Sequence, residues 1–290
     1  MTEEHDVAEE AEAVALIGPD GTGHTPDVHL ATDRPLALVT GASSGIGLAL
    51  AEELAERGYD LLVVAEDDEL EPAADSLRSR GAAVEALRLD LSSRSGVQEL
   101  VGVASAHVPD AVLVNAGVGV NGPFLETALE DHIDLISLNV TGAVHLLHEV
   151  LPGMVDRGSG QVLVTSSVAA KMPGPWMSTY SASKAFLLSF AQALRQELSD
   201  TGVTVTALMP GPTDTEFFER ADMEDTKLGQ ADKDDPADVA REGVEAMLAG
   251  DDHVVAGSFK NRIQAGLGAV LPDAAVAKGH EPMSRPGSGD

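Results

Sequence analysis

Between residues 35 and 255, short apolar runs alternate with longer stretches of helical pattern, and this alternation restricts the fold more than any other feature of the chain. The short runs are apolar at consecutive positions, which is typical of strands covered by helices on both faces. Repeated strand–helix–strand units of this length predict an α/β fold with a doubly wound parallel sheet. Strands are expected at 36–39, 61–65, 84–89, 111–114, 161–165, 203–208 and 253–255.

The pattern predicts one Rossmann-type domain at residues 34–257, with helices on both faces of a sheet of about seven strands. Residues 1–33 form an acidic extension without sustained periodicity, which we expect to be disordered. The polar, acidic stretch 211–235 is too long for a simple connection and predicts a substrate lid. A C-terminal helical segment is expected at 258–278, followed by a tail at 279–290.

The composition limits the partners of the chain. There are 48 acidic and 18 basic residues, which gives a formal net charge of −30. Nucleic acid and anionic membranes are therefore not expected as partners, because both require basic surface. The charge favours a salt-adapted organism, although an acidic protein from an ordinary mesophile is an alternative.

Features that the sequence lacks predict where the protein is located and whether it binds a metal. There are no cysteines, so disulfides and thiolate metal sites are excluded. No stretch reaches 18 consecutive apolar residues, and the N-terminus is acidic, unlike a signal peptide. His145 and His148 lie near Glu149, but a metal site would need further ligands. We therefore predict a cytoplasmic protein without a metal.

A glycine-rich turn follows the first predicted strand and opens the first helix. Gly41, Gly45 and Gly47 allow close approach of the backbone, and the helix N-terminus presents unsatisfied N–H groups with a positive dipole end. These features predict a phosphate cradle for a dinucleotide. The spacing is not G-x-G-x-x-G, so the prediction depends on the position of the turn within the strand–helix series.

Glu66 ends the second predicted strand, nineteen residues after Gly47. An acid there can accept hydrogen bonds from the adenosine ribose and repel a 2′-phosphate. One such charge pair at about 4 Å costs on the order of 4 kcal/mol at an effective dielectric of 20. We therefore predict NAD rather than NADP. The alternative explanation for Glu66 is the acidic surface that the whole composition implies.

Tyr180 and Lys184 lie four residues apart on a long helix expected at 176–198, so they face the same way. A phenol titrates near pH 10 and is a poor acid or base at neutral pH. A fixed positive charge nearby lowers that pKa by roughly 1 to 3 units. The pair predicts a tyrosine whose pKa is lowered for general acid–base chemistry. A tyrosine that only packs is the alternative.

Taken in order, these and further motifs resemble the short-chain dehydrogenase/reductase family over about 35–255. The resemblance rests on the turn Thr40–Gly47, Asp90, Asn115-Ala116-Gly117, Asn139, Ser166-Ser167, Tyr180 with Lys184, and Pro210-Gly211. It implies an NAD(P)-dependent oxidoreductase that interconverts a small-molecule alcohol with a ketone or aldehyde. Residues 217–223 and 260–262 are similar to an uncharacterised subgroup, which implies no particular substrate.

The resemblance also implies a role for each site residue. Ser167 would hydrogen-bond the substrate oxygen and Tyr180 would exchange its proton, while Lys184 would hold the nicotinamide ribose and lower the tyrosine pKa. Asn139 would support a water that links Lys184 to solvent. The implied cofactor-binding residues are Gly41, Ser43, Ser44, Gly45, Ile46, Gly47, Glu66, Asp90, Leu91, Asn115, Ala116, Gly117, Tyr180, Lys184, Pro210, Gly211, Thr213 and Thr215.

Three questions stay open at this point. Family members usually form dimers or tetramers, so we expect a homodimer or homotetramer without a decision between them. Related chemistry on the same scaffold is an alternative, either reduction of a 3-oxoacyl thioester or epimerisation. A dinucleotide-binding sensor without turnover is a further alternative.

Overall fold

The computed structural model describes residues 33–258 and 272–289. Seven parallel strands form one sheet in the order β3-β2-β1-β4-β5-β6-β7, which confirms the predicted fold. The order reverses between β1 and β4, and such a switch point opens a crevice at the carboxyl ends of the strands. The strands are β1 Leu36–Thr40, β2 Asp60–Ala65, β3 Val84–Arg88, β4 Ala111–Val114, β5 Gly160–Thr165, β6 Val203–Pro210 and β7 His253–Ala256.

Helices cover both faces of this sheet and bury a separate apolar core on each. In chain order among the described residues they are α1 Gly45–Glu56, α2 Leu70–Ser79, α3 Arg94–Ala106, α4 Leu129–Ile136, α5 Ala143–Arg157, α6 Ser178–Glu197, α7 Phe217–Arg220, α8 Pro236–Ala249 and α9 Asp273–Ser284. One core packs α1, α2 and α8 against the sheet through Leu54, Leu77 and Val244. The other packs α3, α5 and α6. Burial on both faces explains why the strands are apolar throughout.

The region expected to hold two separate helical stretches between 125 and 155 is continuous. A π-helical turn, Ser137–Gly142, joins α4 directly to α5. Within this turn, a Cβ on Gly142 would lie 2.3 Å from the Leu91 carbonyl oxygen, so only glycine allows the turn to pack there. Wide turns of this kind are frequent at functional sites.

The C-terminal helix differs from the predicted arrangement. α9 crosses the boundary that we predicted between 278 and 279, and its last residue, Ser284, is fully buried. Ser284 Oγ donates to the Pro175 carbonyl at 2.8 Å. This contact is between segments remote in sequence, so no local pattern indicated it. Residues 1–32 of the predicted extension and 259–271 of the predicted helical segment lie outside the described residues.

The described residues include neither a helix suited to a membrane nor a cluster suited to a metal ion. None of the helices at 33–258 and 272–289 is long and apolar enough to cross a membrane. Over the same residues, no three histidine, aspartate or glutamate side chains group in a way that could hold a metal ion.

Candidate active site

A cleft at the carboxyl ends of the strands brings together most of the residues singled out from the sequence. The turn after β1 forms one wall of the cleft, and residues after β4, β5 and β6 form the others. Of the predicted site residues, those that line the cleft are Gly41, Ser43, Ser44, Gly45, Ile46, Gly47, Glu66, Leu91, Asn115, Ala116, Gly117, Ser167, Tyr180, Lys184, Pro210, Gly211, Thr213 and Thr215. Asp90 and Asn139 do not line it.

The turn after β1 requires glycine at positions 41 and 47. A Cβ on Gly47 would lie 1.9 Å from the Gly41 carbonyl oxygen and 2.5 Å from Asn115 Nδ2. Gly41 itself has a φ of +66°, which favours glycine. The backbone therefore closes tightly at the start of α1, where free N–H groups and the helix dipole can receive a phosphate. These features fit a dinucleotide pyrophosphate.

Hydrogen bonds between Thr40 and Asn115 connect this turn to the end of β4. Thr40 Oγ1 accepts hydrogen bonds from the backbone N–H groups of Asn115, at 2.9 Å, and Ala116, at 3.0 Å. Asn115 Nδ2 donates in return to the Thr40 carbonyl at 3.2 Å. The ends of β1 and β4 are thereby held in register at the switch point.

Ser167, Tyr180 and Lys184 form a buried cluster at the inner end of the cleft. Lys184 Nζ donates to the Thr165 carbonyl at 3.0 Å and lies 5.7 Å from the centre of the Tyr180 ring. A hydrogen bond with Ser167 lowers the pKa of Tyr180, but burial has the larger effect. Ser166 Oγ donates instead to the Lys184 carbonyl at 2.7 Å, so Ser166 anchors the helix backbone. The geometry thus gives the two adjacent serines different tasks.

The protonation states differ from the prediction. Burial raises the pKa of Tyr180 to about 12, and burial lowers the pKa of Lys184 to about 8. The predicted lowering of the tyrosine pKa by Lys184 is therefore wrong for this arrangement. Removal from water disfavours the charged form of each group, and it is the largest cause of both shifts. Tyr180 is consequently a protonated phenol at neutral pH.

Asn139 lies in the π-helical turn, and its side-chain hydrogen bonds connect neighbouring segments of the fold. Its Oδ1 accepts from the Val118 N–H at 2.9 Å, and its Nδ2 donates to the Val118 carbonyl at 3.0 Å and to Ser183 Oγ at 3.2 Å. Asn139 therefore links the loop after β4 to α6, the helix that carries Tyr180. A Cβ on Gly117 would lie 3.0 Å from Asn139 Oδ1 and 3.3 Å from Lys184 Nζ, so glycine keeps this corner compact.

The outer end of the cleft is acidic, and two arginines that sequence reasoning missed pair with its carboxylates or their neighbours. Glu66 and Asp67 line the cleft directly after β2. Arg220, which comes from α7, lies 3.6 Å from Asp67 Oδ2, and Ser43 Oγ donates to the same oxygen at 3.0 Å. Arg88 pairs with Asp68 and donates to the Glu66 carbonyl. Both arginines are thus held by carboxylates.

Asp90 lies between two residues that line the cleft, Leu89 and Leu91, but does not line it itself. Its side chain is exposed, and Oδ1 accepts from the Ser92 N–H at 2.8 Å. The neighbouring Leu91 side chain lines the cleft instead. The carboxylate therefore stabilises the turn that leads into α3.

Beyond Tyr180 the cleft has an apolar part, to which the predicted lid at 211–235 contributes. Tyr180 packs with Met177, Phe218 and, less deeply buried, Phe217 and Leu228. The Phe217 ring lies 5.2 Å from the Tyr180 ring. His280 of α9 also lines the cleft. The aromatic pair at 217–218 was visible in the sequence as part of the 211–235 stretch, whereas nothing local distinguished His280.

Comparison with known proteins agrees with this geometry. The profile of the short chain dehydrogenase family matches residues 35–225. Oxidoreductase UcpA of Salmonella typhimurium is 33% identical over 214 residues, which cover 73% of this chain and 79% of UcpA. Uncharacterized oxidoreductases are among the other similar proteins.

Solved structures with bound cofactors resemble the chain along most of its length. A short-chain dehydrogenase from Sphingobium yanoikuyae in complex with NADPH superposes with a TM-score of 0.73 at 31% identity, covering 83% of this chain and 97% of that one. A family member from Burkholderia phymatum in complex with NAD gives 0.70 at 26% identity, covering 77% and 89%. The chain belongs to the short-chain dehydrogenase/reductase family and is an NAD(P)-dependent oxidoreductase.

Proposed function

We propose that this enzyme interconverts an alcohol with a ketone or aldehyde, using NAD and with Tyr180 as the general acid and base. The observation that carries the proposal is the buried Ser167–Tyr180–Lys184 cluster at the inner end of the glycine-lined cleft. When bound, the nicotinamide supplies or accepts the hydride, which is the difficult half of the reaction. The residues suited to hold the whole dinucleotide are the turn at 41–47, Asn115 to Gly117, and Lys184.

The side chains supply proton transfer and positioning at the substrate oxygen. In reduction, Tyr180 has the protonated phenol that the carbonyl oxygen needs, because burial keeps its proton on. Ser167 Oγ, hydrogen-bonded to Tyr180, can donate to the same oxygen and orient it. Lys184 is fixed by the Thr165 carbonyl, so its position beside Tyr180 is set before substrate arrives. In oxidation, Tyr180 must first lose its proton.

The preference for NAD is supported by the charges around Glu66. Asp67 and Asp68 follow it directly, and Glu216 also lines the cleft. The two nearby arginines are ion-paired, Arg88 with Asp68, and Arg220 with both Asp67 and Glu216. A 2′-phosphate would have to displace a carboxylate from one of these pairs. NAD brings no such charge.

The catalytic assignment is tested with Tyr180→Phe. Loss of general acid–base catalysis should lower kcat by about 10²- to 10⁴-fold, while the Kd for NADH stays within about twofold. The matched control is Tyr59→Phe, since Tyr59 is the other of the two tyrosines and lies at the opposite end of the sheet, with its hydroxyl near Gln161. Retention of turnover in Tyr180→Phe would refute the assigned role.

The cofactor assignment is tested separately with Glu66→Ser. We expect the wild-type enzyme to bind NADH at least about tenfold more tightly than NADPH, and the variant to lose most of that difference, because the repulsion of the 2′-phosphate is removed. Fluorescence titration in high salt measures both constants. Tighter binding of NADPH by the wild-type enzyme would contradict the assignment.

We also propose that the enzyme is a homodimer or homotetramer, assembled through the exposed apolar side chains on α4 and α6. Leu129, Ile133 and Ile136 repeat at helical spacing on α4, with Phe186 exposed on α6. A second copy of the chain fits such a surface, because single-chain proteins rarely expose contiguous apolar patches of this kind. Sedimentation of Ile133→Glu should show dissociation to monomers. A wild-type protein that is monomeric at micromolar concentration would refute the assembly.

The proposed location is the cytoplasm of a salt-adapted cell. The support is the strongly acidic composition together with a dependence on dinucleotides, which cells keep inside. Fractionation of the native organism would test this. Recovery of the enzyme from the culture medium would contradict it.

A further inference from the structure

We propose that His280 of the C-terminal helix is a substrate-binding residue, and that the substrate is an uncharged alcohol or ketone with an apolar body and a second hydroxyl or carbonyl group. This inference rests on the proposed function, since it names the class of substrate for the same cleft. Its basis is a buried imidazole in a largely apolar wall, together with the hydrogen bonds that hold its helix in place.

The helix α9 is fixed against three separate segments around the cleft. Ser284 Oγ donates to the Pro175 carbonyl at 2.8 Å, and the Ser284 carbonyl accepts from Asn121 Nδ2 at 2.9 Å. The Met283 carbonyl accepts from the Leu228 N–H at 2.9 Å. Because these contacts join parts of the chain more than 50 residues apart, α9 is part of the cleft wall.

The position of His280 follows from this attachment. His280 lies four residues before the buried Ser284, so the two side chains share the inner face of α9. Its side chain is 9% exposed and lines the cleft. Its Nδ1 is buried and has no hydrogen-bond partner among the described residues. A buried polar atom without a partner is unusual and calls for an explanation.

The surroundings define what could satisfy this nitrogen. Met177, Phe218 and Leu228 line the same cleft as His280 and form its apolar wall. Burial lowers the pKa of His280, which favours the neutral imidazole. A neutral imidazole has one N–H donor and one acceptor nitrogen. A hydroxyl or carbonyl group on an apolar substrate can therefore complete its hydrogen bonding.

A charged substrate does not fit the same wall. The cationic side chains among the described lining residues are Lys184 and Arg220. Lys184 is bound to the Thr165 carbonyl, and Arg220 is paired with Asp67 and Glu216. A substrate carboxylate or phosphate on the α9 side would therefore be buried without a counter-charge, which is strongly unfavourable.

The test compares matched ketones that differ in one group. The probes are cyclohexanones that carry at position 4 a hydroxyl, a hydroxymethyl or a 4-hydroxycyclohexyl group, each with a counterpart in which methyl replaces the hydroxyl. For at least one pair, wild-type kcat/KM should favour the hydroxylated ketone by about tenfold or more. His280→Phe should bring that ratio to within about twofold of one, whereas His280→Gln should retain most of it.

Two controls distinguish a loss of substrate recognition from a defect in folding. His280→Phe keeps a ring of similar size, and its melting temperature and Kd for NADH should match those of the wild-type enzyme. His132→Gln alters the other buried histidine with an unpartnered nitrogen among the described residues, which does not line the cleft. This variant should affect both members of a ketone pair equally.

A binding experiment distinguishes the role of His280 from the proposed function. The same ketones are titrated into Tyr180→Phe with NADH bound, with and without His280→Phe. If the wild-type enzyme reduces none of the ketones, the proposed function fails, yet a hydroxyl preference in binding that disappears with His280→Phe still supports the role of His280. The role of His280 would be refuted if His280→Phe weakened turnover or binding equally for both members of every ketone pair. It would also be refuted if neither turnover nor binding showed a preference for the hydroxyl.

Discussion

At the scale of single residues, the phosphate cradle depends on the absence of a side chain at Gly47. A Cβ there would lie 1.9 Å from the Gly41 carbonyl oxygen, so the turn would have to open. We expect Gly47→Ala to weaken NADH binding by at least about tenfold and to lower the free energy of unfolding by about 1–3 kcal/mol. Titration and denaturant unfolding measure these effects. Gly279→Ala is the control, because nothing lies within 4 Å of that Cβ. Normal binding by Gly47→Ala would contradict the tight turn.

Tyr180 gives a residue-scale prediction about pH. Oxidation requires the deprotonated phenol, whose pKa burial raises to about 12, so kcat/KM for alcohol oxidation should keep rising from pH 7 to pH 10. Reduction requires the protonated phenol and should show no loss assignable to Tyr180 over that range. Steady-state rates in both directions provide the measurement. A plateau in oxidation below pH 9 would instead support the lowered pKa that the sequence alone suggested.

At the scale of elements, an ion pair connects α7 to the segment after β2 at the outer end of the cleft. Arg220 reaches from α7 to Asp67 after β2, at 3.6 Å, and to Glu216 within its own segment, at 2.7 Å. Arg220 is half exposed, so this ion pair is worth only about 0–1 kcal/mol. It connects the 211–235 segment, which we propose to be a substrate lid, with the cofactor side.

Removal of this ion pair should speed cofactor release. We expect Arg220→Ala to raise the dissociation rate of NADH about two- to fivefold at low salt, and much less in 1 M KCl, where screening already weakens the pair. Stopped-flow fluorescence measures the rate. The matched control is Arg241→Ala, whose ion pair with Asp238 lies within α8. Equal release rates for Arg220→Ala and wild type at low salt would show that the ion pair does not hold the cofactor.

At the scale of the whole molecule, the formal charge of −30 opposes compactness. The Debye length falls from about 10 Å at 0.1 M to about 3 Å at 1 M salt, so repulsion among surface carboxylates should fall in step. We expect the melting temperature to rise by several degrees between 0.05 and 1 M KCl, measured by circular dichroism. Glycerol at equal osmolarity is the control for effects other than screening. A melting temperature independent of KCl would show that the charge is not limiting.

The sheet and the tight glycine turn could be predicted from the sequence, because both depend on short-range patterns. Apolar runs such as 111–114 must be buried wherever they fold, Gly47 marks a close turn, and the spacing of Tyr180 and Lys184 places both on one helix face. Which groups lose contact with water depends on how the chain packs, and the sequence pattern does not give this. Burial raised the pKa of Tyr180 where sequence reasoning expected a decrease, and long-range contacts brought Arg220 to Asp67 and His280 into the cleft wall. Desolvation and contacts across distant segments are properties of the packed chain, so no local pattern carries them.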